Sequence, residues 1–157
     1  MIILIDNTVL SNFTLVQRID LLQQAVGPTA AIPAHVKQEF DTGVQRKRLP
    51  TTDLSWLPVL TLSTNEQRVY QQFLQKLNAG EAACLAIASQ RQGRVLTDDR
   101  DARLLANQLN VPISGTLGVL LRLQTLKLLS LSQADALLAE MITKGYRSPV
   151  QSLQELN

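Results

Sequence analysis

The sequence predicts an α/β protein, a three-layer α/β/α sandwich around a mostly parallel central sheet of four to five strands. Two patterns carry this prediction. Short apolar segments typical of strands alternate along the chain with longer segments whose apolar residues recur at helical spacing. In addition, the opening segment MIILI, residues 1–5, is apolar at every position, as in a strand that is buried on both faces of a parallel sheet.

The further strands are predicted from short runs that are rich in β-branched and apolar residues and lie between turn-forming residues. Each follows a helical segment, which is the order expected when helices connect parallel strands. Together with the opening strand, the predicted strands are residues 1–5, 29–32, 58–62, 94–97 and 111–114.

The predicted helices have apolar residues at helical spacing and breaking residues at their ends. Gly27-Pro28 ends the first helix, Pro33 starts the second, and Gly80 precedes the fourth. Residues 44–56 have no such period, so we expect a mobile loop there. The predicted helices are about 10–26, 33–42, 64–77, one from 81 onward, 100–109, one reaching about 126, 132–144 and 149–156.

Length and composition fit one domain over residues 1–147, followed by a helical tail over 148–157. The 157 residues are 45% hydrophobic and 18% charged, as in ordinary globular proteins, and they contain no apolar run long enough to cross a bilayer. Asp6 interrupts the opening apolar run, so no secretory signal is evident. The single cysteine, Cys84, lies in an apolar string and predicts a buried reduced thiol, which suits the cytoplasm.

Acidic residues stand just beyond predicted strands or near the starts of the helices that follow them. In an open parallel sheet these positions share one edge, which is where ligands bind. Taken singly, each acid has an ordinary explanation as a helix cap, a partner of the helix dipole or a solvated side chain. Together they predict one shared site, formed by Asp6, Glu39, Glu81, Asp98, Asp99 and Asp101.

Such a cluster of carboxylates indicates a bound cation, because like charges packed closely destabilise the fold unless something compensates them. With one histidine, His35, and one cysteine the chain cannot assemble an ordinary Cys/His zinc site. Mg²⁺ or Mn²⁺ suits carboxylates and water. We expect His35 on a helix surface, and a Ser-His-Asp triad is disfavoured because the chain has no G-x-S-x-G motif.

Segments spread over residues 2–147 resemble the PIN domain family, of the kind found as VapC-type toxins. No single motif is specific for this family, but the order and spacing of the motifs together are. The likeness is strongest to a branch of nucleic acid-binding PIN-like proteins that carry GEA, TDDRDAR and GTLGVL segments. The matching segments are LIDNTVLSNF (4–13), IPAHVKQEF (32–40), NAGEAACLAIA (78–88), VLTDDRDAR (95–103) and ISGTLGVLLRL (113–123).

The resemblance implies hydrolysis of RNA phosphodiester bonds with Mg²⁺ or Mn²⁺. Asp6, Glu39, Glu81 and Asp99 match the catalytic acids of the family. The metal would be held by Asp6, Glu81 and Asp99, with Asp101 as a frequent additional acid, whereas Asp98 matches less securely. Asn7 stands where the family often has threonine, and Thr8 keeps the hydroxyl.

The same resemblance implies that the substrate is RNA, that the chain forms a homodimer and that a cognate antitoxin pairs with it. Trp56, Leu57 and apolar residues of the helix 64–77 would either form the antitoxin groove or belong to the core. Aromatic residues make up only 4% of the chain, which limits stacking on bases. Substrate contacts are expected from Thr8, Thr97, Arg46, Lys47, Arg48, Arg100 and Arg103.

Two other function classes remain open at this point. A catalytically silent binding module could use the same fold only to hold RNA or protein. A phosphotransferase of the haloacid dehalogenase kind, or a receiver domain, would form a phosphoaspartate at Asp6 and bind Mg²⁺ at Asp98 and Asp99. Neither phosphotransfer version explains Glu39 and Glu81.

Overall fold

A parallel sheet of five strands forms the centre of the protein, for which a computed structural model describes residues 1–156. The strands are β1 (Ile3–Ile5), β2 (Ala30–Pro33), β3 (Val59–Leu60), β4 (Arg94–Leu96) and β5 (Ile113–Ser114). They lie in the order β3-β2-β1-β4-β5, and every adjacent pair is parallel. The α/β fold with a parallel central sheet is therefore confirmed.

Helices cover both faces of the sheet. On one face α5 packs across β1, β2 and β4 and is flanked by α3, α4 and α6, while α1, α2, α7 and α8 pack on one another in the other layer. No helix within residues 1–156 has the length and apolar character needed to cross a membrane. The α-helices are α1 (Asn7–Leu15), α2 (Ile19–Val26), α3 (Ala34–Gln45), α4 (Thr64–Phe73), α5 (Ala79–Arg91), α6 (Arg100–Gln108), α7 (Thr116–Thr125) and α8 (Leu131–Thr143).

The single helix predicted over 10–26 is wrong, because α1 and α2 are separate helices. The chain turns between them at Gln17, whose φ of 56° lies in the left-handed region. The Arg18 N–H donates to the Phe13 carbonyl, and this bond closes the end of α1. The apolar residues continue at helical spacing through the turn, so the pattern alone did not reveal it.

The predicted helix over 149–156 is also wrong, since only a short 3₁₀ helix forms there, over Leu153–Leu156. Its first turn is tied to α8, because the Asp135 carboxylate accepts hydrogen bonds from the Ser152 hydroxyl at 2.9 Å and the Leu153 N–H at 2.7 Å. The Leu153 side chain is fully buried. The tail therefore packs on the domain.

The core explains several of the sequence predictions. Cys84 is buried in α5, as predicted. The irregular segment after α3 is held to the core by Leu49, Leu54 and Leu57, which are all buried. Leu57, Tyr70, Phe73 and Leu77 are buried core residues, and Trp56 packs partly buried against the core.

The sheet order creates a crevice at the carboxyl ends of β1 and β4. The chain passes from β1 to β2 on one side, whereas β4 pairs with β1 on the other side, so the direction of winding reverses between these strands. Ligands bind at such switch points. The register pairs Ile5 with Leu96, so the next residues, Asp6 and Thr97, leave the sheet side by side.

Candidate active site

Asp6 lies at the bottom of this crevice. It directly follows β1 and is only 2% exposed. Its Oδ2 accepts hydrogen bonds from the Thr8 and Thr97 hydroxyls, each at 2.9 Å. The backbone N–H groups of Asn7 and Thr8 also lie close enough to the carboxylate to lower its pKa. Burial raises the pKa of Asp6, and the threonine hydroxyls offset part of that rise.

The two threonines also fix the chain after β4. The Thr8 hydroxyl accepts from the Asp98 N–H, and the Thr97 hydroxyl accepts from the Asp99 N–H, both at 3.1 Å. Each hydroxyl donates its one proton to Asp6, so its oxygen serves as the acceptor for a backbone N–H. Thr97 is fully buried, which corrects its expected role as a substrate contact: it orients Asp6 instead.

Glu81 approaches from α5, where it forms a capping box with Asn78. The Glu81 N–H donates to Asn78 Oδ1 at 3.0 Å, and Asn78 Nδ2 donates to Glu81 Oε1 at 2.9 Å. Burial and then the charges of Asp6 and Asp99 raise the pKa of Glu81 to about 7. The charge of Glu39 contributes as well. Glu81 therefore lies close enough to Asp6, Asp99 and Glu39 for their charges to act on it.

Glu39, on α3, packs against the first turn of α5. A Cβ atom at Gly80 would overlap Glu39 Oε1, so only glycine leaves room for this carboxylate. Glu39 Oε1 is buried, and no donor within residues 1–156 meets it with good hydrogen-bond geometry, although the Gly80 N–H lies close enough to the carboxylate to lower its pKa. Burial and the charge of Asp6 raise the pKa of Glu39. Sequence reasoning placed Gly80 only as a helix breaker, whereas it lies inside α5.

Asp99 and Asp101 both belong to the start of α6 but face different surroundings. Asp99 is the N-cap, and its Oδ2 accepts from the Ala102 N–H at 2.8 Å. Asp101 is exposed and lines a separate cavity of about 290 Å³ beside Lys76 and Leu104. The structure thus brings Asp99 together with Asp6, Glu39 and Glu81, and does not bring Asp101 to them.

Asp98 is engaged in a polar network that the sequence did not reveal. Its carboxylate accepts from the Thr116 N–H at 2.8 Å, the Thr116 hydroxyl at 2.6 Å and the Asn12 amide at 3.1 Å. Asn12 also donates to the Thr116 hydroxyl at 3.0 Å. Asp98 therefore joins the end of β4 to the start of α7 and the middle of α1, and both of its carboxylate oxygens accept hydrogen bonds.

A cavity of about 480 Å³ opens above the acids. We call it the acidic cavity. Tyr146 and Arg147, from the turn after α8, form part of its wall, although sequence reasoning had not singled them out. Burial raises the pKa of Tyr146 to about 12, with a further contribution from Asp98. The acidic side chains that line the cavity are Asp6, Glu39, Asp98 and Asp99.

The predicted basic residues are spread over several places. Arg46 and Lys47 are exposed at the end of α3, and Arg100 is exposed at the start of α6. Arg48 lines a second cavity beside the acidic one. Arg103 lies beside Asp98, since a Cβ at Gly115 would overlap side-chain atoms of both residues. His35 lies on α3, where it is half-buried against Tyr70 with ring centroids 4.7 Å apart.

The donor set suits a hard divalent cation. It consists of the carboxylates of Asp6, Glu39, Glu81 and Asp99. Burial raises the pKa values of Asp6, Glu39 and Glu81, and the charge of Asp6 raises those of Glu39 and Glu81 further. Within residues 1–156 no group of three histidine, cysteine or acidic side chains is placed to hold one ion by itself. Mg²⁺ commonly takes one or two carboxylates and keeps several waters. The residues fit that mode of binding.

Comparisons with known proteins identify a family and a similar fold. A family model described as PIN domain matches residues 2–156. The crystal structure of PAE2754 from Pyrobaculum aerophilum is similar, with a TM-score of 0.57 and 17% identity, over 80% of this chain and 90% of that one. At this identity the likeness concerns the fold. No curated protein sequence matches the chain.

Proposed function

This chain belongs to the PIN domain family, and from that premise we propose that it is an endoribonuclease that depends on Mg²⁺ or Mn²⁺. PIN domains are typically nucleases and generally use divalent metals. RNA as the substrate and hydrolysis of its phosphodiester bonds are the further steps of the proposal. The observation that carries it is the convergence of Asp6, Glu39, Glu81 and Asp99 from four separate elements at the crevice between β1 and β4.

The arrangement supports a role for Asp6 as the central ligand. Two hydroxyls fix Asp6 Oδ2, so Oδ1 would already be oriented for the metal ion. The side chain would not need to reorganise when the ion binds. Asp99 is fixed in a similar way, because Oδ2 caps α6 and the other oxygen is left for a ligand. Preorganised oxygens are what a metal site requires, since a misdirected ligand costs affinity.

Glu39 and Glu81 would complete the site, directly or through water. When bound, the ion would activate the attacking water and neutralise charge that develops on the phosphate. The protein's own contribution is to hold four carboxylates at one end of a rigid sheet. Arg147 lies at the wall of the acidic cavity, where a guanidinium could bind the phosphate.

We further propose that the protein is the toxin of a type II toxin–antitoxin pair that acts in the cytoplasm as a homodimer. The likeness of the LIDNTVLSNF and VLTDDRDAR segments to VapC-type sequences supports this. Size-exclusion chromatography with light scattering tests the dimer. Expression with the neighbouring reading frame tests the pair: a cognate antitoxin should co-purify and should suppress the ribonuclease activity.

RNA cleavage tests the proposed activity. The purified chain should shorten single-stranded RNA in Mg²⁺ or Mn²⁺, and EDTA should abolish cleavage. Asp6→Asn and Asp99→Asn should each lower the rate by at least about 100-fold, in line with the effect of removing a preorganised electrostatic group. Asp20→Asn is the matched control, because Asp20 is an exposed acid paired with Arg18 on α2.

A catalytically silent module gives a different result in the same assay. RNA would bind, but its length would not change with metal or with either substitution. That outcome would contradict the nuclease proposal.

A further inference from the structure

A second cavity, of about 610 Å³, adjoins the acidic cavity. We call it the side cavity. The two cavities share the side chains of Asn7, Ser11 and Glu39 in their walls. A ligand long enough to occupy both would pass these three side chains. The side cavity is therefore placed to receive part of a substrate whose reacting bond lies above Asp6.

Polar atoms without partners are concentrated at the side cavity. Asn7 Oδ1, His35 Nδ1 and Glu39 Oε1 are buried, have no hydrogen-bond partner within residues 1–156, and belong to residues that line it. Elsewhere in that part of the chain only Thr14 and Trp56 carry such atoms. Buried polar atoms are rarely left unpaired, because the loss of their hydration is costly. Their concentration here indicates a ligand that supplies the missing bonds.

The remaining walls show what kind of ligand fits. Leu15, Leu49 and Ala79 contribute apolar surface, and Arg48 contributes a guanidinium. A cavity with apolar walls and a few convergent polar atoms suits an organic molecule better than it suits water alone. A nucleobase combines a flat apolar face with a polar edge. The unpaired acceptors of the side cavity would be satisfied by N–H donors on that edge.

We propose that the side cavity binds the base of a single-stranded RNA nucleotide next to the cleaved phosphate, and that it prefers a base with an exocyclic amine. The inference rests on the proposed function, because only a nucleic acid substrate places a base beside a reacting phosphodiester. Guanine, adenine and cytosine carry an amine that can donate to Asn7 Oδ1 and Glu39 Oε1. Uracil has only one ring N–H. Extruded single-stranded bases are commonly read through such edge contacts.

Calorimetry with mononucleotides tests the pocket directly. The full chain is titrated in EDTA with GMP, AMP, CMP, UMP and ribose 5-phosphate. We expect UMP to bind about fivefold more weakly than the best of the other nucleotides, which is the effect of one lost hydrogen bond. Ribose 5-phosphate, which lacks the base, should bind at least about tenfold more weakly than that nucleotide.

Two variants locate the binding site. Asn7→Leu removes an unpaired acceptor, and Thr42→Phe fills the side cavity from α3 without removing one. Both should weaken binding of the amine-bearing nucleotides by about fivefold or more. The matched controls are Asn107→Leu and Gln45→Phe, whose parent residues are exposed on helices and line neither cavity. The controls should bind nucleotides as the wild type does.

Equal binding of all five ligands, or binding that neither variant changes, would overturn the proposal. If nucleotides do not bind at all, a protein side chain becomes the better occupant. The cleavage assay with Asp6→Asn reports separately on the proposed function. If cleavage depends on Asp6 but shows no base preference beside the cleaved bond, only the base-binding proposal is contradicted. If nucleotides bind with a base preference but RNA is not cleaved, only the nuclease proposal is contradicted.

Discussion

The Thr97 hydroxyl donates to Asp6 Oδ2 at 2.9 Å, across the junction of β1 and β4 and between residues 91 positions apart. The same hydroxyl accepts the Asp99 N–H. One buried side chain therefore sets the positions of two of the proposed metal ligands.

Replacing Thr97 with valine keeps the shape of the side chain and removes this link. The part-buried Asp99 N–H loses its acceptor, so the free energy of unfolding in urea should fall by about 1 kcal/mol. RNA cleavage should fall by about tenfold or more, because Asp6 is no longer held by both hydroxyls. Thr97→Ser, which keeps the hydroxyl, should restore most of the rate.

Thr143→Val is the control, since the Thr143 hydroxyl only bonds to the Ala139 carbonyl on an exposed helix face. An equal loss of activity in Thr97→Ser and Thr97→Val would contradict the positioning role.

The raised pKa of Glu81 predicts that the metal-free protein loses stability as the pH rises. The pKa of Glu81 is about 7 in the folded state, compared with its ordinary value of 4.5 in the unfolded chain. Between these two pH values the folded state therefore binds more protons than the unfolded state. The free energy of unfolding should therefore fall between about pH 4.5 and 7, by at most about 3 kcal/mol, because each unit of pKa is worth about 1.4 kcal/mol and water entry reduces the effect. Urea unfolding in EDTA across this range measures it.

Glu81→Gln should flatten that dependence and raise stability at pH 8, whereas Glu140→Gln, at an exposed site on α8, should not. Mg²⁺ or Mn²⁺ should stabilise the wild type most at high pH, where the carboxylates are ionised. A stability that rises steadily from pH 5 to 8 without metal would speak against the acidic cluster.

Gly80→Ala should displace the Glu39 carboxylate while the fold survives. Alanine favours a helix over glycine by about 1 kcal/mol, so the main effect should come from the overlap with Glu39 Oε1. We expect weaker Mn²⁺ binding by calorimetry and slower RNA cleavage, with little change in melting temperature. Gly118→Ala is a matched helical control, since a Cβ there overlaps only the Ser114 hydroxyl. If both variants cleave RNA at the wild-type rate, the placement of Glu39 is irrelevant to the reaction.

Asp98→Ala should destabilise the protein more than Asp99→Ala. The first substitution leaves the Thr116 N–H and hydroxyl without their acceptor and removes one of the two acceptors of the Asn12 amide, whereas the second removes one helix cap. Each unpaired buried group costs about 1–3 kcal/mol, and a lost cap costs about 1 kcal/mol. Thermal and urea unfolding of the two variants compare them directly. The reverse order of stability would show that Asp98 is not the structural acid of the pair.

The sequence by itself determined the layers and which edge of the sheet the acids share. Apolar segments of the right period specify which residues form strands, and acids that follow strands in a parallel sheet must meet at one edge, so Asp6 and Asp99 could be paired before any coordinates. Local signals also sufficed for the buried Cys84 and for the start of α3 at Pro33. They failed at Gln17, because a left-handed residue between two apolar stretches leaves the helical period undisturbed.

Only the tertiary structure decided what each acid does. Asp98 and Asp99 are neighbours with similar surroundings in the sequence, yet Asp98 is saturated by Asn12 and Thr116, which lie 86 and 18 positions away. Other features of the site also depend on contacts between distant segments. Examples are the packing of Glu39 against Gly80, the burial of Thr97 and the position of Tyr146 in the wall of the acidic cavity. A periodic pattern reports which face of an element is apolar. It carries no information on which side chain of another element will meet that face, because that depends on how the packed layers fit together.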